Sequence, residues 1–155
     1  MMRIGIDTSV LIGLLDSKDV WHSTATSLKN ALIEEDAVIV VFDCVLAETI
    51  STIARRVHEK RRAADLDEIL HTLQREYPLN DVEWLFPSVP LLYPRVIEMV
   101  RASKGELNFN DALIALSCQL LNIEFLASFD RDFDSISWLT RIATIEDLQN
   151  LAGPD

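Results

Sequence analysis

Glycine and cysteine are both scarce in this chain of 155 residues, with four of the first and two of the second. So few glycines, beside only five prolines, exclude a collagen-like or low-complexity protein, and 49% apolar residues exclude a disordered one. Cys44 and Cys118 have neither metal nor redox spacing and sit among apolar neighbours. That is the setting of buried, reduced thiols and of a cytoplasmic protein. Apolar runs long enough to cross a bilayer are also lacking, as is a basic segment ahead of an apolar one at the N-terminus. The expectation is a soluble, unexported single domain over residues 1–155, with no membrane partner and a core that needs no staples.

Positive charge is the other shortage. Against 25 Asp and Glu the chain has 14 Lys and Arg, a formal net charge of −11. At face value this argues against a nucleic-acid partner. The sum loses that force if several acids hold metal ions, and it hides an uneven distribution. Arg55, Arg56, Lys60, Arg61 and Arg62 form one basic island. These five are candidate RNA-phosphate contacts. They would equally suit a helix C-terminus, where cations are stabilising without any ligand.

What the chain does have is alternation. Ile4–Ile6 reads as a strand buried on both faces, closed by Asp7, with Thr8 and Ser9 as helix caps ahead of the apolar run Val10–Leu15. Residues 21–36 have helical spacing, and residues 37–42 form a β-branched strand. Asp43 is a plausible N-cap for a long amphipathic helix that carries Glu48 and ends in the basic island. Residues 63–77 are helical. Residues 78–94 hold four of the five prolines, with an edge strand at Val82–Phe86. Helix resumes near Pro94, a residue tolerated in a first turn. Asn108 or Asn110 caps the helix Asp111–Leu121. Ile123–Ser128 is a strand, followed by the acidic knot Asp130–Asp134, a last strand at Trp138–Ala143 and a short helix capped by Thr144. One strand per helix is the signature of βαβ units and a parallel sheet.

In such a sheet, strand C-termini and helix N-termini share one edge, where ligands bind. Asp7, Glu48, Asp111 and Asp130 all belong to that edge, although they span more than 120 residues. Any one of them alone could be a cap or a hydrogen-bonded acid, and an acid in a helix's first turn is stabilised by the dipole anyway. Four together raise one another's pKa unless a cation compensates. Mg²⁺ or Mn²⁺ suits such oxygen donors while keeping several waters, and metal-bound water can attack a phosphodiester. Thr8, Ser9 and Ser128 are accessory candidates on this edge. His22, His58 and His71 have no ligand spacing, and Trp21, Trp84 and Trp138 read as core or interface anchors rather than base-stacking platforms.

The segments Ile6-Asp7-Thr8-Ser9-Val10-Leu11, Leu46-Ala47-Glu48, Asn110-Asp111-Ala112-Leu113-Ile114-Ala115 and Ser128-Phe129-Asp130-Arg131-Asp132-Phe133 resemble the four acidic motifs of the PIN-domain family. The resemblance runs from residue 4 to about residue 145, and is greatest to the VapC-type toxins of toxin–antitoxin pairs. It implies a three-layer α/β/α fold with a central, mostly parallel sheet of about five strands. It also implies a Mg²⁺- or Mn²⁺-dependent endoribonuclease that hydrolyses RNA phosphodiesters, forms a homodimer and is inhibited by a small antitoxin protein. Asp7, Glu48 and Asp111 match the three core catalytic and metal-binding acids. Asp130 matches the fourth, more variable one, for which Asp132 competes, and Ser128 stands where many members have Thr. The alternatives are a PIN nuclease of RNA processing and a non-catalytic PIN module that binds metal or a partner. A phosphoacceptor domain fits poorly: Ser9 stands where an Asp-x-Asp pair would need its second acid, and no Lys follows Lys104.

Overall fold

In the computed structural model, which describes residues 1–151, five strands form one sheet in the order β3-β2-β1-β4-β5, every pairing parallel. The strands are β1 (Arg3–Ile6), β2 (Val38–Phe42), β3 (Val82–Glu83), β4 (Phe125–Ala127) and β5 (Thr140–Ile142). The helices are α1 (Thr8–Leu15), α2 (His22–Glu34), α3 (Asp43–Glu59), α4 (Ala63–Glu76), α5 (Val89–Ala102), α6 (Phe109–Leu120) and α7 (Ile145–Leu151). No helix among the described residues is long and apolar enough to cross a membrane.

The first strand lies at the centre. Ile4 pairs with Ile39 on one side and Phe125 on the other, so β1 is covered on both faces, and its apolar run is the price of that position. Ile4, Ile6, Val10, Leu28 and Leu32 meet in one apolar seam between the sheet and α1 with α2. On the opposite face Gly5 lets α6 approach: a Cβ there would stand 3.1 Å from Cys118 Sγ and 3.2 Å from Leu126 Cδ1. Cys118 is buried and Cys44 half-buried, and burial pushes both thiols up to about 12.

Three elements depart from the sequence expectation. The edge strand is two residues long rather than five, because the amides of Leu85 and Phe86 both donate to Asp43 Oδ2, each at 2.9 Å, instead of extending the ladder. Asp43 is therefore no cap. It is the first residue of α3, buried, and it ties that helix to the end of β3. Helix α5 begins at Val89 rather than near Pro94, with Pro90 in its first turn and Pro94 in its interior. Pro94 is exposed, so the hydrogen bond it forfeits leaves a carbonyl facing water rather than core. The remaining boundaries shift by a few residues; β4 and β5 are three residues each, and Thr144 caps α7 by accepting from the Asp147 amide at 3.1 Å.

Candidate metal centre

The sheet order reverses direction at β1: the chain runs outward to β2 and β3, then returns across β1 to β4 and β5. A crevice opens where such a reversal occurs, beyond the C-terminal ends of the two strands that flank it. Here those ends are locked together. The Asp7 amide donates to the Ala127 carbonyl at 2.9 Å, extending the β1–β4 ladder by one residue and setting Asp7 beside Ser128.

Asp7 is itself the N-cap of α1, accepting from the Ser9 amide at 3.3 Å. Thr8 and Ser9, expected as caps, have other uses. The hydroxyls of Ser9 and Ser128 both donate to Asp7 Oδ2 at 2.8 Å. Those same hydroxyls then accept, Ser9 from the Phe129 amide and Ser128 from the Asp130 amide, each at 3.0 Å. The Thr8 hydroxyl donates to Glu48 Oε2 at 3.1 Å, and Asn110 Nδ2 donates to the same oxygen at 3.2 Å.

Asn108 rather than Asn110 caps α6. It does so reciprocally: Asn108 Oδ1 accepts from the Asp111 amide at 3.0 Å, and Asp111 Oδ2 accepts from the Asn108 amide at 2.8 Å. Asp130 caps a 3₁₀ turn at Arg131–Ser135, its Oδ1 accepting from the Asp132 amide at 2.9 Å. A common pattern results. Each of the four acids spends one oxygen on holding its position, while Asp7 Oδ1, Glu48 Oε1, Asp111 Oδ1 and Asp130 Oδ2 have no hydrogen-bond partner among the described residues.

The electrostatics agree. Asp7 is 5% exposed and its pKa is raised by burial, against the pull of the Ser9 and Ser128 hydroxyls. Asp111, 7% exposed, is pushed up to about 6, first by burial and then by the charges of Asp7, Asp130 and Glu48. Asp111 thus senses the other three acids across the crevice. Yet among the described residues no three carboxylate, imidazole or thiol groups stand close enough to chelate an ion on their own. The donor set fits a small hard cation bound through one or two carboxylates and otherwise by water, the habit of Mg²⁺. It does not fit a cage made by the protein alone.

The basic island lies elsewhere. Helix α3 runs away from the crevice, so Arg55, Lys60 and Arg61 stand roughly 10 to 20 Å along its axis from Glu48. Arg56 is bound to Asp19 at 2.7 Å, and Arg62 grips Asp16 through two nitrogens at 2.8 and 3.0 Å and Asp65 at 2.8 Å. Arg55, Lys60 and Arg61 are exposed and make no ion pair among the described residues. Sequence reasoning passed over two groups that shape the crevice. Asn110 enters the sequence reading as a rival cap and as a motif residue, with no role assigned to its side chain. Arg141 reaches back from β5 to donate to the Ser128 carbonyl at 3.2 Å while pairing with Asp134, a contact that no local pattern announces.

Comparison with known proteins points the same way. No curated protein sequence matches the chain significantly. Among solved structures, VapC20 of Mycobacterium tuberculosis, described as a toxin that cleaves the sarcin–ricin loop, superposes with a TM-score of 0.66 at 23% identity, covering 86% of this chain and 95% of its own. VapBC2 of Rickettsia felis, solved bound to a DNA fragment from its promoter, gives a TM-score of 0.60 at 16% identity, covering 91% and 98%. At these identities the likeness is one of fold. The PIN-domain family model, by contrast, matches residues 4–139, which take in every acid of the crevice: the chain belongs to the PIN-domain family.

Proposed function

We propose that this chain is a single PIN domain acting as a Mg²⁺- or Mn²⁺-dependent endoribonuclease, the toxin of a VapBC-type pair. The observation that carries this reading is the set of four acids at the sheet reversal, each with one oxygen anchored and one free. When bound, the cation would supply an activated water and neutralise charge on the scissile phosphate. Asp7 and Asp111 would be its principal holders, with Glu48 and Asp130 positioning its waters; the placement of Asp130 favours it over Asp132 as the fourth acid. The hydroxyls of Thr8, Ser9 and Ser128 fix the rotamers of Glu48 and Asp7, so the free oxygens are held in place before any ligand arrives. Arg55, Lys60 and Arg61 are the cations of the island left to contact RNA phosphates.

The cleavage of the sarcin–ricin loop described for VapC20, and the VapBC2 complex with promoter DNA, support RNA as substrate and a small antitoxin as partner. A cytoplasmic homodimer completes the reading. A non-catalytic PIN module that binds metal or a partner gains support from one observation, the absence among the described residues of a ready-made three-ligand cluster. Cleavage of RNA in Mn²⁺, Mg²⁺ and EDTA by the wild type and by Asp7→Asn decides between them. Divalent-dependent cleavage lost in the variant is expected; identical products from both proteins would sink the nuclease reading.

A further inference from the structure

We propose that the stacked pair Trp21–Phe129 is a platform on which an unpaired base of the RNA strand stacks beside the acidic crevice. The identity of the strand rests on the ribonuclease reading above; the platform itself rests on its own geometry. Ser9 and Gly13 lie one turn apart on the same side of α1. Phe129 sits over Ser9, its amide donating to that hydroxyl at 3.0 Å, and Trp21 sits over Gly13, where an added Cβ would stand 3.4 Å from Trp21 Cβ. The two rings lie 4.6 Å apart with an interplanar angle of 17°. Phe129 immediately precedes Asp130, and Ser9 is the residue that anchors Asp7. The aromatic pair therefore adjoins two of the four acids.

Trp21 is held firmly yet left open. Its amide donates to Asp19 Oδ1 at 2.9 Å, and Asp19 is in turn fixed by Arg56 at 2.7 Å. Even so, 45% of its surface is exposed. The other two tryptophans spend their indole N–H groups on backbone carbonyls, Trp84 on Leu79 and Trp138 on Ala115. The Trp21 indole N–H meets no acceptor among the described residues. A ring stacked on Phe129, with its backbone clamped, its donor free and nearly half of its surface exposed, is suited to take a planar ligand. The chain's charge of −11 gives it no general hold on a polyanion. Stacking adds an attraction that does not depend on net charge, and it accepts any base because every base has a π-face. Arg131, exposed, next to Asp130 in the chain and without an ion pair among the described residues, supplies a cation for a flanking phosphate.

The test uses the full-length Trp84→Phe/Trp138→Phe variant, whose only indole is Trp21, titrated with a single-stranded 12-mer oligoadenylate and with an abasic strand of the same length. Ca²⁺ replaces the catalytic cation so that the strand stays intact. Oligoadenylate is expected to quench the Trp21 emission, and the abasic strand to bind more weakly and quench little. By anisotropy, Trp21→Leu should weaken oligoadenylate binding about 10-fold or more, with Trp21→Phe close to the wild type. No quenching at saturation, no binding, or a folded Trp21→Leu variant that binds like the wild type overturns the proposal and assigns the pair to packing or to a protein contact. Quenching without any Asp7-dependent RNA cleavage would keep the platform and remove the nuclease reading; cleavage without quenching would do the reverse.

Discussion

A buried carboxylate that is half anchored and half free carries a cost that a proton or a bound cation removes, and Asp111 makes that cost measurable. Its folded pKa of about 6 lies above the ordinary value of 3.8, so the folded state holds the extra proton between these limits. The stability of the metal-free protein should therefore fall as pH rises from 4 to 6 and stay low above that, by about 2–3 kcal/mol at pH 7. Asp111→Asn should recover that amount in EDTA and flatten the pH dependence, as read by urea unfolding at pH 5 and 7; a destabilised variant would show the carboxylate to be a structural cap first. At Arg62 the sign reverses. Asp16 is 3% exposed, and the Arg62 guanidinium holds its carboxyl below the usual range. Arg62→Met would strand that carboxylate and should cost about 3 kcal/mol, with cleavage per folded molecule unchanged. Arg55→Ala should leave the melting temperature alone and reduce the salt dependence of RNA binding. Sequence alone could not divide the basic island in this way, because Asp19 and Asp16, which hold Arg56 and Arg62, lie 37 and 46 residues away, and only the Arg62–Asp65 pair is local. The placing of the four acids on one edge was legible because Asp7 and Asp130 follow strand ends, Asp111 lies in a helix's first turn and Glu48 in the second turn of α3.

Elements were read well wherever periodicity alone decides them. The buried strands, the amphipathic helices and the parallel alternation all follow from local pattern. Reading failed where a distant side chain intervenes. Nothing between residues 82 and 86 shows that the Asp43 carboxylate will capture the amides of Leu85 and Phe86 and end β3 after two residues. Pro94 misled in the opposite way: the helix runs through it from Val89, and the buried contacts of Leu92 and Val96 offset the lost hydrogen bond and the ring–carbonyl clash. The contact between β1 and α6 offers a test at this scale. Gly5→Ala would press a methyl group against Cys118 Sγ and Leu126 Cδ1, and should destabilise by about 1–3 kcal/mol. Adding Cys118→Ala should return part of that loss. Two penalties that simply add in denaturant titrations would show that the strand, not the thiol, sets the limit.

For the molecule as a whole, charge and cation work against each other. At −11 the metal-free fold repels itself, so its melting temperature should rise with KCl and rise further with Mn²⁺ at equal ionic strength. Asp7→Asn should keep the salt response and lose the excess due to Mn²⁺. If KCl reproduces the whole Mn²⁺ effect, the crevice has no specific ion. The central position of β1 also has a consequence in time. Asp7 emerges first from a ribosome, but its ladder partner Ala127 and its hydroxyl donor Ser128 are synthesised some 120 residues later. A parallel sheet built from such distant partners forms late, once the residues of β4 are available. A nascent chain stalled before Phe125 carries three of the four acids but neither the strand nor the hydroxyl that sets Asp7 in place, so the crevice cannot assemble until β4 has been made.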